Sequence, residues 1–190
     1  MTARVEPLQP PYDEPIGAQL ARMMPPGADP IGLFRTFVVN LPMTVAMNDW
    51  GRYELGRELS LSMRQREVVI DRTCARCGCE YEWGVHVMFF ADRVGLTREQ
   101  LTSITHGDAQ DVCWTAPDEA ALIRLVDSLH DHSDVNDELW SEIAQHLREE
   151  QLLDAMMLCG WYHAISFTAR GFRVALEPGA PTFGDFATSR

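Results

Sequence analysis

The 190-residue sequence contains no lysine, since all sixteen of its basic residues are arginines. No lysine can therefore form an imine with a carbonyl substrate or act as a general base, which excludes enzymes that work through a lysine Schiff base. Against 28 acidic residues, the arginines leave a net charge of −12, which repels nucleic acid and anionic lipid over most of the surface. We therefore expect neither a nucleic-acid nor a membrane partner.

Long apolar runs are also missing. No stretch approaches the roughly 20 residues that span a bilayer, and the N-terminal MTARVEPLQPPYDEP lacks the apolar core of a secretion signal. The five cysteines are odd in number, and three of them cluster within residues 74–79. This usage fits a reducing compartment better than a disulfide framework. The sequence therefore predicts a soluble cytoplasmic protein.

Hairpin signals are scarce, because no Asn-Gly or Asp-Gly dipeptide separates two alternating runs. Helix signals are frequent instead. Ser62 with Gln65 and Thr97 with Gln100 have the spacing of capping boxes, and Pro117 opens an apolar run of helical period. The sequence predicts a single all-α domain of about six to eight helices over residues 31–190.

Residues 1–30 have a different composition. Seven of the eleven prolines lie there, and proline lacks a backbone donor and fixes φ. We therefore predict a Pro-rich N-terminal arm without a regular core element, either disordered or packed across a neighbouring subunit.

The stretch CARCGCEYEWGVH, from Cys74 to His86, concentrates groups that can do chemistry. A helical residue advances about 100°, so Cys79, Glu82 and His86 share one helix face. A carboxylate one turn from an imidazole, with a thiol on the same face, is a candidate for proton or thiol chemistry. The competing interpretation is a histidine that simply packs in the core.

Gly78 leaves two geometries open for the Cys74/Cys77 pair. If one helix runs through Gly78, the pair lies roughly opposite His86. If Gly78 ends a helix, Cys79 opens the next one, the helix dipole lowers the pKa of its thiol, and Cys77 can reach it to form a disulfide. Inert packing is an equally good interpretation for Cys74.

A zinc site would need four well-spaced ligands. The other histidines and cysteines are scattered in the sequence, at His106, Cys113, His130, His132, His146, Cys159 and His163. We therefore predict neither a metal site nor a cofactor.

The segment LSMRQREVVIDRTCARCGCEYEWGVHVMFFADRVGLTREQL resembles the carboxymuconolactone decarboxylase family, which shares its all-helical fold with alkylhydroperoxidase D-like proteins. The resemblance rests on Arg66 with Glu67, on the Glu-Tyr-Glu-Trp string at 80–83 with His86, and on Gly95 with Leu96. It extends weakly over about residues 40 to 183. It implies an alkylhydroperoxidase D-like helical domain and a homo-oligomer, which would be a dimer, trimer or hexamer.

The peroxidase branch of this fold uses a glutamate, a CxxC pair and a histidine. The resemblance places Glu67 at the glutamate, Cys79 at the first cysteine and His86 at the histidine. Glu82 stands where that branch has its peroxide-reactive cysteine. The local CxxC lies five residues too early to replace it, so its thiols remain only as irregular resolving groups.

The decarboxylase branch works with histidine and carboxylate, and the resemblance implies that His86 and Glu67 move protons on a small organic or lactone acid. The candidate catalytic residues are His86, Glu67, Cys79 and Glu82, with Tyr81 and Trp83 as candidate substrate-binding residues. Nearby arginines that could contribute to an acid pocket are Arg66, Arg72, Arg76 and Arg93. Two alternatives stay open. One is a thiol-dependent peroxidase or disulfide reductase that uses the cluster Cys74, Cys77 and Cys79, and the other is a scaffold or binding protein without activity.

Overall fold

A computed structural model describes residues 2–187, and over this range the chain forms nine α-helices, two short 3-10 turns and no strand. The helices are α1 Glu14–Met23, α2 Gly32–Phe37, α3 Leu41–Glu54, α4 Met63–Arg76, α5 Glu80–Val94, α6 Arg98–His106, α7 Pro117–His132, α8 Asp137–Ile143 and α9 Glu149–Phe172. The 3-10 turns are Val38–Asn40 and Phe183–Phe186. The predicted all-α fold is confirmed, and eight of the nine helices lie within the predicted domain.

Capping residues fix where several helices begin. The Ser62 side chain accepts from the backbone N–H of Gln65, and the Gln65 side chain accepts from the Ser62 N–H, which caps α4. Thr97 and Gln100 form the same reciprocal pair at α6. These bonds satisfy backbone donors that a helix start otherwise leaves free. Both capping predictions are confirmed.

Helix α1 lies in the Pro-rich region, so the prediction that residues 1–30 hold no regular core element is wrong. Pro15 stands in the first turn of α1, where its missing N–H removes no helical hydrogen bond. Leu20 of α1 is buried, and the helix packs on α2 and α3. Before α1, the Leu8 N–H donates to the Arg35 carbonyl, so this part of the arm lies against its own chain.

Helix α4 is the central element and contacts α5, α6, α7 and α9. Every residue from 66 to 74 in α4 is buried, including Val68, Val69 and Ile70. A helix that is covered on all sides also buries its polar side chains. The acids on α4 are therefore removed from water together with its apolar residues.

Gly78 ends α4 and decides between the two geometries left open by the sequence. Its φ of +63° is left-handed, its N–H donates to the Ala75 carbonyl, and the Cys79 N–H donates to the Cys74 carbonyl. This pair of bonds is the Schellman pattern that terminates a helix at glycine. Cys79 therefore caps the start of α5, which folds back along α4.

Among residues 2–187, no helix has the combination of length and apolar character that crossing a bilayer requires.

Candidate active site

Glu67 of α4 and His86 of α5 form the centre of a buried polar cluster. The His86 Nδ1 lies 2.8 Å from Glu67 Oε2, and both side chains are almost completely buried. The other oxygen, Glu67 Oε1, accepts from Arg66 Nε at 2.7 Å. Glu67 therefore bridges a guanidinium and an imidazole, which fixes the ring orientation and directs Nε2 to the opposite side.

Two groups face the Nε2 atom of His86. The Tyr162 hydroxyl of α9 lies 3.0 Å away, and Glu82 Oε1, one turn earlier on α5, lies 3.6 Å away. Glu82 Oε2 is buried and has no hydrogen-bond partner among residues 2–187. A buried carboxylate oxygen without a partner is costly to maintain, and it leaves an acceptor beside the imidazole.

Opposing effects set the pKa of His86. Burial lowers the pKa, but the charge and hydrogen bond of Glu67, together with those of Glu82, outweigh burial and raise it to about 10. His86 is therefore an imidazolium at neutral pH, with Nδ1–H donating to Glu67 and Nε2–H donating to the Tyr162 oxygen. Burial, with the charges of Glu82 and Glu67, raises the pKa of Tyr162 well above its usual range, so the phenol stays neutral.

Asp71 and Tyr162 belong to the cluster, and the sequence analysis missed both. Asp71 lies one turn after Glu67 on α4 and is buried. Burial and the charge of Glu67 raise its pKa well above the ordinary value, which favours the neutral acid. The four-residue spacing from Glu67 is a signal that could have identified Asp71. Nothing in the sequence links Tyr162 to His86, because the two residues are separated by 76 positions.

Phe90 lies at the edge of the cluster. Its ring centroid is 5.4 Å from that of His86, and the guanidinium groups of Arg66 and Arg93 lie 5.1 Å and 5.8 Å from the Phe90 centroid. Phe90 is half-buried and Arg93 is exposed, so this edge lies nearest to solvent.

Tyr81 and Trp83 contact α2 and the chain segment after α9. The Tyr81 hydroxyl donates to Glu177 Oε1 at 2.5 Å and accepts from the Leu33 N–H at 2.9 Å. Trp83 is fully buried against Phe183, with ring centroids 5.1 Å apart. Both residues anchor terminal segments to α5. Their predicted substrate-binding roles stay predictions.

Cys74, Cys77 and Cys79 are free thiols and all three are buried. Burial raises the pKa of Cys79 to about 11 and that of Cys74 well above its ordinary value. A hydrogen bond from the backbone N–H of Glu82 lowers the Cys79 pKa, as expected at a helix start, but burial raises this pKa by more. The predicted lowering of the Cys79 pKa is therefore wrong, because burial disfavours the thiolate more than the helix start favours it.

A second polar cluster brings together residues that look scattered in the sequence. Cys77 Sγ lies 4.0 Å from His130 Nδ1, and His130 Nδ1 lies 2.9 Å from His163 Nε2. These three atoms all lie within 4.8 Å of one another, a spacing that could hold a metal ion. The prediction of no metal site relied on sequence spacing alone and did not consider this arrangement.

Over residues 2–187 the all-helical fold matches the alkylhydroperoxidase D-like fold that was predicted. Residues 44–123 match the carboxymuconolactone decarboxylase family, and this segment contains Glu67, Glu82 and His86. This match confirms the resemblance stated from the sequence. No curated protein matches the chain.

Solved structures share the fold. The debrominase Bmp8 superposes with a TM-score of 0.78 at 15% identity, covering 96% of this chain and 97% of that chain. A cysteine-to-alanine variant of Bmp8 in complex with 2,3,4-tribromopyrrole gives 0.76 at 15% identity, covering 98% and 99%. A protein of unknown function from Agrobacterium tumefaciens, described as an antioxidant defence protein of the AhpD type, gives 0.66 at 17% identity, covering 75% and 96%. At these identities the likeness shows the fold alone.

Proposed function

We propose that the protein is an enzyme that transfers protons on a small organic acid, with decarboxylation as the leading reaction. The observation that carries the proposal is the geometry of His86, which lies between Glu67 and Tyr162 and beside Glu82 Oε2, an oxygen without a hydrogen-bond partner among residues 2–187. The family of the segment 44–123 supports the same reaction class.

The chemistry follows from the protonation states. When carbon dioxide leaves a carboxylate, the electron pair of the broken C–C bond stays on the substrate and needs a proton. His86 Nε2–H supplies that proton, and Glu67 stabilises the imidazolium before transfer. The neutral Tyr162 hydroxyl can donate to a developing oxyanion, and Glu82 Oε2 can accept from a substrate hydroxyl. His86 regains its proton from water before the next turnover.

Substrate entry requires a side chain to move, because His86 and Glu82 retain only 5% and 9% of their side-chain exposure. Phe90 is the half-buried ring at this edge, and its displacement would open a path to His86.

Among the four candidate arginines, Arg93 is the best placed to bind an acid. Arg72 pairs with Asp127 at 2.7 Å and Arg76 with Asp131 at 2.5 Å, whereas Arg93 forms no ion pair within residues 2–187. Arg93 would hold a second carboxylate of the substrate and leave the departing one unpaired.

Replacing His86 by glutamine tests the proposal. Glutamine keeps a polar side chain of similar size but cannot deliver a proton, so turnover of a responsive lactone or keto acid should fall about 10²- to 10⁴-fold. Release of carbon dioxide and exchange of substrate protons are measured over a panel of such acids. His132→Gln, at an exposed position of α7, is the matched control. Unchanged turnover in folded His86→Gln protein would refute the role of His86.

Thiol-dependent reduction is the second candidate. Cys79 begins the helix that carries Glu82 and His86, and the similar debrominase was studied as a cysteine variant with a brominated pyrrole. The pKa of about 11 for Cys79 opposes thiolate chemistry at neutral pH. Consumption of peroxide or of a brominated pyrrole with a dithiol donor, lost in Cys79→Ser, would favour this candidate over the first.

A scaffold without activity is the least supported alternative. A pocket occupied by bulky side chains, or a lost contact between Glu67 and His86, would favour it. The side chains of Glu67 and His86 lie 2.8 Å apart and are buried. Its test is the same acid panel, in which no member would be turned over at any pH.

A further inference from the structure

We propose that Cys77, His130 and His163 form a binding site for a zinc-class metal ion, separate from the His86 cluster. Cys77 caps the end of α4, His130 lies in the last turns of α7, and His163 lies in the middle of α9. The three helices pack on one another, which holds one thiol and two imidazoles at a single point. A thiolate with imidazoles is a donor set that suits zinc.

The separations of the donor atoms fit one ion. Zinc binds sulfur at about 2.3 Å and nitrogen at about 2.0 Å, so tetrahedral donors lie roughly 3.3 to 3.6 Å apart. Cys77 Sγ and His130 Nδ1 are 4.0 Å apart, and His130 Nδ1 and His163 Nε2 are 2.9 Å apart. Side-chain shifts of a few tenths of an ångström would close the first gap and open the second.

A backbone carbonyl sets the tautomer of His163 for binding. His163 Nδ1 lies 2.8 Å from the Cys159 carbonyl oxygen, to which its N–H donates. Nε2 therefore carries a lone pair rather than a proton, and it faces His130 and Cys77. Metal-binding histidines commonly use their second nitrogen in this way, and the bond both orients the ring and raises its basicity.

Cys159 Sγ is 3.7 Å from His163 Nδ1, which is the nitrogen that faces away from the proposed ion. Cys159 is therefore a neighbour of the site and not a ligand. Three protein ligands leave the fourth position of a tetrahedral ion to water.

The protonation states require two changes on binding. In the metal-free protein the His130 Nδ1–H donates to His163 Nε2, so binding moves the His130 proton to its other nitrogen. The Cys77 thiol releases its proton to solvent as the S–metal bond forms, so each bound ion displaces one proton.

Two guanidinium groups lie near Cys77. Arg170 donates to the Cys77 carbonyl oxygen at 2.5 Å, so it contacts the backbone of this residue. Arg76 lies beside Cys77 in sequence, but its guanidinium pairs with Asp131 at 2.5 Å and with Asp127 at 3.6 Å. These carboxylates balance its charge and also face the site from α7. Binding of a divalent ion with release of the Cys77 thiol proton adds one net positive charge, which lies near the carboxylates of Asp127 and Asp131.

Zinc titration of chelator-treated full-length protein tests the proposal, with a competing chromophoric chelator to report free metal. We expect one zinc per chain. Cys77→Ser and His163→Gln should each weaken affinity more than the roughly 10- to 100-fold that follows loss of an outer hydrogen-bond partner. Cys159→Ser and His132→Gln are matched controls that should bind as the unchanged protein does.

Cobalt substitution identifies the ligands without any measurement of activity. Cobalt(II) bound at this site should show a thiolate-to-cobalt charge-transfer band in the unchanged protein and in Cys159→Ser, and lose it in Cys77→Ser. Zinc should also raise the Tm of the unchanged protein, while a folded His163→Gln protein shows no such shift. Failure to bind stoichiometric zinc, or binding without the thiolate band, would overturn the proposal and leave the proton-transfer function untouched.

Discussion

The buried charges around His86 balance one another. The guanidinium of Arg66 and the imidazolium of His86 face the carboxylates of Glu67 and Glu82, while Asp71 is held as the neutral acid. Removing one member of a buried ion pair leaves an uncompensated charge, which costs about 3–5 kcal/mol. A deletion such as His86→Ala would therefore mix loss of stability with loss of chemistry, which is why glutamine is the better replacement.

Glu54, the last residue of α3, is buried outside the active site and gives a prediction of pH dependence. Burial, followed by the charge of Asp154, raises its pKa from 4.5 to about 7. Because the folded-state pKa is the higher one, the stability contribution of Glu54 is present below pH 4.5 and is lost as the pH rises to about 7.

Glu54→Gln should therefore stabilise the protein by about 1–3 kcal/mol at pH 8 and change little near pH 4.5. Urea unfolding at both pH values measures this, with the exposed Glu138→Gln as a control that should stay within about 0.5 kcal/mol. Equal effects of Glu54→Gln at both pH values would contradict the assignment.

The sequence was sufficient to find Glu67, Glu82 and His86, because helix period and family register depend only on local spacing. It did not identify Tyr162, since that contact depends on how α9 packs against α5. The direction of the Cys79 pKa shift was predicted wrongly, because the sequence reveals a capping position but does not reveal how deeply the thiol is buried.

At the scale of helices, local chemistry predicted the boundaries well. Ser62, Thr97 and Asn136 each cap the helix that follows, and Gly78 ends α4 with a left-handed φ. Helix α1 was not predicted, because the high proline content of residues 1–30 was taken as evidence against a helix. Pro15 lies in the first turn of α1, where proline is tolerated. The convergence of α4, α7 and α9 on one cysteine and two histidines is a tertiary feature that no local pattern predicts.

Gly84 gives a prediction for the contact between α5 and the C-terminal segment. A Cβ added at Gly84 would lie 2.6 Å from the Pro181 carbonyl oxygen, closer than packed atoms allow. Gly84→Ala should displace this segment and destabilise the protein by about 1–3 kcal/mol, as overpacking usually does.

Gly17→Ala in α1 is the matched control, because its nearest neighbour would be 3.8 Å away. Alanine there should stabilise the helix by roughly 0.5–1 kcal/mol. Urea midpoints of both variants, followed by tryptophan fluorescence, measure the contrast. Equal stabilities of Gly84→Ala and the unchanged protein would contradict the close approach.

At the scale of the whole molecule, the homo-oligomer implied by the resemblance remains a prediction. Leu153, Met157 and Phe167 are exposed by 64%, 46% and 68%, and all three fall on one face of α9 because helical residues advance about 100° each. An exposed apolar stripe of this kind is typical of a surface that a partner covers.

We predict that Leu153→Glu with Phe167→Glu lowers the number of subunits measured by light scattering, because charges at this face oppose its burial. Val112→Glu, at an isolated residue that is 97% exposed, should leave the assembly unchanged. A monomeric unchanged protein, or a double variant of unaltered mass, would contradict the use of this face.

The charge on His86 tests the proposed function most directly, and it can be measured without knowing the substrate. Nuclear magnetic resonance titration of the ring, assigned by its absence in His86→Gln, gives the pKa. The proposal predicts that His86 stays protonated through pH 8 and titrates near pH 10. Titration near the ordinary histidine value of about 6.5 would contradict the account in which Glu67 and Glu82 keep His86 protonated at neutral pH.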